Sequence, residues 1–589
     1  MTTEVLTSLP RRRPLARRRL LRARPAIASL LARRPAEGVL LFVVFSIGYI
    51  TVAGEMVSHQ IIFADAVSRV ANGYFVLFSR DPHLPAVGFV WNPLPSLLLL
   101  PVLPLRGVFP VLVRVGFAGN LESALFMAGA VVLLSGCLAR LGLPRGLRLV
   151  LVTLFALHPM IITYACSGES EAMLLFFLLL TVRSLLSWLS QRQPGQLVVA
   201  GLALGLAYMS RYEAVAPALA VTALVASVTL LTGRGSWSLR FRLALNDAAL
   251  VGLPFLFAFG LWAVSSRLLV KQWFPTFSSE YGNAAQVNFG KSNITQATGT
   301  DLLSALRYAA EQLTGLEPLV LPLLIAAGVV AARRRDWLAI AAPAVLGSLL
   351  AFNNLAFLVG ASFGWLRFQI AVIPLAVLLS GALLRPPQHT GNTHIGPARP
   401  PSEPANQPVE NSTATEGRLR RLVAVPLVLL ALVAAVPVSA WTLTSHSLAR
   451  EETQTMLAAV SPGLANDEDR RHLLINQTEQ QVAADLDAMR LPDSTVLTDS
   501  AFAFPIVLAS THATQFIITS DTDFQPTVTD PAGHQVRYLL VPEPDKAPSD
   551  ALQRAHPGLY EKGGGIATVV RTWRGTSLNG DWRLLQVGA

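Results

Sequence analysis

Ionisable side chains stand at the ends of long apolar runs in four places, where charge is costly and tends to be kept for function. They are Asp65 in FADAVSRV, Glu169 and Glu171 in YACSGESEA, Arg211 with Glu213 in AYMSRYEA, and Arg367 in FGWLRFQIAVIPL. An aspartate at such a boundary can take the proton of an attacking hydroxyl. Two glutamates one residue apart can turn both carboxylates to a single cation where the backbone is extended, whereas on a helix they diverge. Arginines near a membrane boundary suit a phosphate head group, through bidentate hydrogen bonds and a fixed positive charge. For any one arginine alone, an interfacial charge snorkelling to water is the favoured reading. Opposite charges from several helices at one depth instead point to a cavity. Base, acidic pair and phosphate clamp together describe transfer of a group from a phospholipid-like donor.

The elements that would carry these residues are membrane helices. Of the 589 residues 52% are hydrophobic and 14% charged, with a mean hydropathy of +0.48, more apolar surface than a water-soluble fold can hide. The net charge of +11 could suggest nucleic acid, but the arginines gather at the ends of apolar runs, so the charge reads as topology and no nucleic-acid partner is expected. The two cysteines, Cys137 and Cys166, both fall in or beside predicted spans, which leaves no disulfide framework for the soluble part.

A spanning helix needs roughly 20 apolar residues. The sequence predicts about eleven, near 38–57, 119–139, 147–166, 172–189, 195–210, 213–232, 245–266, 316–332, 337–358, 366–384 and 422–441. The arginine-rich segment 1–37 is too long for a signal peptide and places the N-terminus in the cytoplasm. From that start every inner loop is basic: Arg140, Arg145 and Arg148, then Arg183 and Arg192, then Arg234, Arg240 and Arg242, then Arg333 to Arg335, then Arg385 to Arg421. The expected protein is a multi-pass protein of the cell membrane in contact with membrane lipid, its module of residues 38–385 followed by a disordered cytoplasmic linker (386–421), a last span and an extracytoplasmic domain (442–589).

The first outer loop contains an apolar run broken by Pro93, Pro95, Pro101 and Pro104, which reads as short interfacial helices and not as a further span. After the last span, helical patterns alternate with the β-rich runs STVLTD, QFIITS, VRYLLVP, IATVVRTW and WRLLQV. That alternation predicts a small soluble α/β domain with a mainly parallel sheet. Asp499, Asp521 and Asp523 follow predicted strands, where open sheets bind ligands, although helix caps and turns are the commoner use of such residues.

The order of these motifs resembles the GT-C superfamily of polyprenyl-phosphate-sugar-dependent glycosyltransferases, especially the branch of protein O-mannosyltransferases and lipid A aminoarabinose transferases. The resemblance rests on Asp65 after the first span, the proline motif Asn92-Pro93-Leu94-Pro95 after Trp91, HPMIITYACSGESEA, AGLALGLAYMSRYEA and LRFQIAVIPL, over residues 38–385. It departs in two respects: a lone Asp65 where many members show adjacent acids, and Glu-x-Glu where Asp commonly comes first. The resemblance implies a GT-C-like polytopic α-helical fold and an inverting transfer on the outer face, from a polyprenyl-phosphate-linked sugar to a hydroxyl of a glycan, lipid or protein acceptor. It implies Asp65 as the catalytic base, Arg367 and Arg211 on the donor phosphate, and Glu169 and Glu171 on the acceptor or on a divalent cation (Mg or Mn). Whether a metal is used stays open. His83 and Glu213 are candidate assisting groups, an ordinary loop histidine being the alternative for His83. A lipid or sugar transporter would also show intramembrane charge, but no repeated pattern of broken helices relates the two halves, and a purely structural membrane component would not need the carboxylates.

Overall fold

A computed structural model describes residues 35–288, 301–334, 336–385, 420–575 and 580–588. The expected basic segment before residue 35 and almost all of the expected linker, 386–419, lie outside the described residues. All eleven predicted apolar runs fall in helices: α1 (Pro35–Ser58), α3 (Phe117–Arg140), the pair α4 (Arg145–Ala156) and α5 (Pro159–Cys166), α6 (Glu171–Gln191), α7 (Pro194–Ser210), α8 (Val215–Thr232), α9 (Trp237–Leu269), α11 (Val320–Arg334), α12 (Ser348–Leu358), α13 (Val372–Leu383) and α14 (Val425–Thr442). Among the described residues eight helices are long and apolar enough to cross a membrane, and ten if two bent pairs each count as one. The chain is thus a multi-pass membrane protein.

The departures from a straight span have local causes. The pair α4 and α5 bends by 63° at Leu157-His158-Pro159, where the proline withholds the N–H that would continue the ladder. The helix α10 (Leu302–Leu316) meets α11 at 83°, with Glu317 and Pro318 in the break. The 17 residues of α7 reach only about 26 Å at 1.5 Å per residue, just under a hydrocarbon core of about 30 Å.

Apolar residues cover α6 and α13 on nearly all sides, and both are buried in the bundle, whereas α1, α9 and α14 turn Val39, Leu40, Phe257, Leu427 and Leu430 outward. Outward leucines on peripheral helices are the expected surface toward lipid. Small residues let helices approach: a Cβ at Gly201 of α7 would stand 2.3 Å from the Val251 carbonyl oxygen of α9, so that crossing admits only glycine.

The expected interfacial segment is present. It consists of α2 (Ala64–Phe78) and short helical turns at Leu84–Val87, Leu94–Leu99, Leu103–Gly107 and Val111–Arg114. Proline at the start of most of these turns limits their length.

All five predicted strands form: β1 (Val496–Thr498), β2 (Phe516–Ile517), β3 (Tyr538–Pro542), β4 (Ala567–Trp573) and β5 (Trp582–Val587), in the order β2-β1-β3-β5-β4. The expected mainly parallel sheet is corrected to a mixed one. β1 pairs in parallel with β2 and β3, while β5 runs antiparallel to both β3 and β4. β4 and β5 are separated by only eight residues and pair antiparallel, whereas β1, β2 and β3 are joined by helical crossovers.

This domain sits directly on α2. Val67, Val70 and Tyr74 of α2 share one apolar cluster with Ala503, Ile506 and Val507 of the domain. At the far end of α2, Arg80 donates to Asp521 (3.0 Å) and Asp523, and Asp81 accepts from the N–H and hydroxyl of Thr522 (3.0 and 2.8 Å). Asp499 caps its helix through the Ala501 N–H and accepts from Tyr281 Oη at 2.6 Å. The three strand-end aspartates therefore act as a cap and as docking groups.

Candidate active site

Asp65 lies in the first turn of α2, where the helix N-terminus favours a negative charge. Arg69 follows four residues later on the same face and is buried. Glu169 reaches these two because the chain after α5 turns back at Gly168, with φ +84°, where a Cβ would crowd Ala66 Cβ at 3.0 Å and the Asn120 N–H nitrogen at 3.1 Å. The carbonyls left open at the end of α5 accept from Asn120 Nδ2 (to Cys166, 2.5 Å) and Ser123 Oγ (to Ala165, 2.9 Å), which holds the loop close against α3.

Arg367 is the centre of the arrangement. It is 3% exposed and sits in a turn before α13, its guanidinium 4.2 Å from the ring centroid of Trp365. Its Nη2 donates to Asp65 at 2.8 Å, Nη1 lies 3.3 Å from Glu169, and Nε lies 3.2 Å from Glu451 and 3.8 Å from Glu171. Arg69 donates to Glu169 at 2.6 Å. Arg211, between α7 and α8, pairs with Glu171 and with Glu213, the latter at 2.7 Å. Five carboxylates thus face three guanidiniums.

Burial would raise the Asp65 carboxyl, but Arg367 and Arg69 outweigh it and hold it below the usual carboxylate range, so Asp65 is ionised. Burial prevails at Glu169, which is pushed up despite Arg69 and Arg367.

Asp65, Arg69, Arg211, Glu213 and Arg367 open into one cleft of about 530 Å³, whose walls include Trp91, Asn92, Tyr212, Asn283, Gln286 and Trp365. Aromatic faces, amides and fixed cations in one concave site can hold a polar ring and a phosphate together.

The structure brings together Asp65, Glu169, Glu171, Arg211, Glu213 and Arg367. It does not bring His83 there. His83 stands beyond the far end of α2, its Nδ1 2.6 Å from the Asp81 carbonyl oxygen, and is not among the cleft residues. From Asp65, the second residue of α2 (Ala64–Phe78), the helix carries the chain about 20 Å at 1.5 Å per residue. Glu169 is in the loop and Glu171 is the first residue of α6; both lie beside Arg367, but the nearest guanidinium is Arg69 for Glu169 and Arg211 for Glu171. The carboxylates that come within 4.8 Å of one another in a set fit for a metal are Asp65, Glu169 and Glu451.

Arg69, Glu451 and Tyr164 are additions to the sequence reading. The D-x-x-x-R spacing in FADAVSRV signals Arg69 once α2 is known to be helical. Glu451 lies in α15 (Arg450–Val460), beyond the last span, and nothing local marks it. The next residue, Glu452, accepts from Tyr164 of α5 at 2.7 Å.

Residues 103–262 match the family described as dolichyl-phosphate-mannose-protein mannosyltransferase. No curated protein matches the chain significantly. Among solved structures it is similar to ArnT from Cupriavidus metallidurans bound to undecaprenyl phosphate, at 13% identity over 94% of this chain and 98% of that one, with a TM-score of 0.49. It is also similar to the oligosaccharyltransferase AglB from Archaeoglobus fulgidus in complex with an inhibitory peptide and a dolichol-phosphate, at 10% identity over 91% of this chain and 74% of that one, with a TM-score of 0.39. The segment that carries Glu169, Glu171, Arg211 and Glu213 is therefore similar to the dolichyl-phosphate-mannose-protein mannosyltransferases, in line with the GT-C resemblance of the motifs.

Proposed function

We propose that the protein is a membrane glycosyltransferase that moves a sugar from a polyprenyl-phosphate donor to a hydroxyl acceptor on the outer face of the membrane, with inversion at the anomeric carbon. The observation that carries this reading is the pairing of Asp65 with Arg367 at 2.8 Å in the cleft, a proton acceptor and a phosphate-binding group within reach of one small ligand. The match of residues 103–262 to a family named for a dolichyl-phosphate sugar supports it.

In this reading the donor phosphate takes Arg367, with Arg211 beside it, and draws the guanidinium away from Asp65. Loss of that contact raises the Asp65 carboxyl toward its ordinary range and makes it a stronger base. Asp65 then accepts the proton of the acceptor hydroxyl as its oxygen bonds to the anomeric carbon, and the bond from that carbon to the phosphate oxygen breaks. The negative charge gathered on the leaving phosphate is stabilised by arginines already fixed in place. Asp65, Glu169 and Glu451 are the residues that would hold a divalent cation such as Mg or Mn; their oxygen donors fit a hard cation, which would add positive charge opposite the phosphate. The step above does not pass through it.

Purified protein given a labelled polyprenyl-phosphate sugar and an acceptor extract is expected to release free polyprenyl phosphate and transfer label; transport of intact donor without cleavage would refute the reading. The orientation follows from the basic inner loops, and a reporter that works only outside the cytoplasm, fused after Ala589, is expected to be active. Activity of a cytosolic reporter at that position would put the cleft on the wrong side.

A further inference from the structure

The helix α15 belongs to the chain beyond the last span, yet it is fixed against the membrane module. Glu452 accepts from Tyr164 at 2.7 Å, Gln312 Nε2 of α10 donates to the Leu448 carbonyl at 3.0 Å, and Tyr308 Oη donates to the Ser447 carbonyl at 3.1 Å. This fixation places the Glu451 carboxylate 3.2 Å from Nε of Arg367. Neither atom makes a well-directed hydrogen bond there, although both are buried: Glu451 Oε2 and Arg367 Nε have no aligned partner. The contact is therefore one of charge more than of hydrogen bonding.

The carboxylates around Arg367 are not equivalent. Glu169 is also held by Arg69, and Glu171 by Arg211. Asp65 is hydrogen-bonded through Nη2. Glu451 has Arg367 as its only ion-pair partner within 4.0 Å among the described residues. A phosphate arriving on Arg367 brings further negative charge to a site already rich in acid, and Glu451 is the acid with least to hold it.

We propose that Glu451 is a positioning residue that serves as the displaceable counter-ion of Arg367, competing with the phosphate of the lipid for that guanidinium, so that the chain beyond the last span sets how tightly polyprenyl phosphate is held and how readily it leaves. The inference rests on the proposed donor. The charged and titratable groups facing Glu451 are Asp65 of α2, Glu169 of the loop before α6, Glu171 of α6, Arg367, Glu452 of its own helix and Tyr164 of α5.

The test uses the full chain in detergent and titrates it with a polyprenyl monophosphate, followed by tryptophan fluorescence, which Trp91 and Trp365 in the cleft can report. Glu451→Gln is expected to bind the lipid phosphate at least fivefold more tightly than the parent, with stronger product inhibition and a lower kcat. Glu451→Asp is expected to lie close to the parent, and the melting temperature to change little. Equal affinity of Glu451→Gln and the parent overturns the proposal. Weaker binding by Glu451→Gln overturns it too, and marks Glu451 as a metal ligand if adding EDTA to the parent weakens binding equally. A parent protein that does not bind polyprenyl phosphate removes both the proposed donor and this inference, whereas a parent that binds it with no effect of Glu451 removes only the inference.

Discussion

Asp65→Asn is expected to leave a folded protein whose turnover falls by about 10²-fold or more, the usual contribution of a positioned general base. Asparagine has nearly the same shape and can still fill the first turn of α2, but it cannot accept the acceptor's proton. The partners of Asp65 limit the structural cost. Arg367 retains Glu169, Glu171 and Glu451 within 3.8 Å, so losing one acid from an acid-rich cluster leaves no guanidinium without a counter-charge. Because the ionised Asp65 carboxyl is held low by Arg367 and Arg69, the loss should appear in kcat at all pH values above the ordinary carboxylate range. Donor affinity should change little or tighten. Steady-state kinetics with a labelled lipid-linked sugar, together with thermal unfolding, check this. Turnover within a few-fold of the parent would take Asp65 out of the base role.

Arg367 has the second largest expected effect, and here turnover and stability should fall together. The side chain is 3% exposed and lies among Asp65, Glu169, Glu171 and Glu451. Arg367→Ala leaves those acids facing one another with less compensation, a kind of loss that costs on the order of 3–5 kcal/mol in buried ion pairs. It also removes the group proposed to bind the donor phosphate. Arg367→Lys keeps the charge and loses the planar fork that can meet a carboxylate and a phosphate at once. The lysine variant is expected to melt close to the parent yet show a donor KM raised by about tenfold, one charge-assisted hydrogen bond at about 1.4 kcal/mol. The alanine variant is expected to melt lower and to show no measurable donor use. If the lysine variant keeps the parent's donor KM, the phosphate is bound elsewhere, and Arg211 with its Glu171 and Glu213 partners becomes the group to replace.

How far the sequence reached depends on the range of the forces involved. The membrane helices were legible because each is specified by its own run of apolar residues, independent of its neighbours. The five strands were legible for the same reason, while the direction of β5 was not, since pairing is decided by which edge is free after β1, β2 and β3 have joined. Asp65, Glu169, Glu171, Arg211 and Arg367 stood out because charge at membrane depth is rare whatever lies beside it.

What the sequence left open is which charge meets which. Glu169 and Glu171 look like one bidentate pair until α6 is seen to start at Glu171, which gives each a different nearest arginine, Arg69 and Arg211, on either side of the Arg367 they share. His83 is near Asp65 in sequence, but a 15-residue helix separates them in space. Glu451 is the reverse case. It is far from every other site residue along the chain, and only the packing of α15 on α5, and of the turn before it on α10, brings it to Arg367. By itself the sequence determined that this is a polytopic membrane protein and which side chains carry unusual charge, because hydropathy and the cost of burying charge act residue by residue. The tertiary structure decided that Arg367 is the common partner of four acids from three distant stretches of the chain, because Coulomb attraction depends on separation in space, and separation in space is set by how the helices pack.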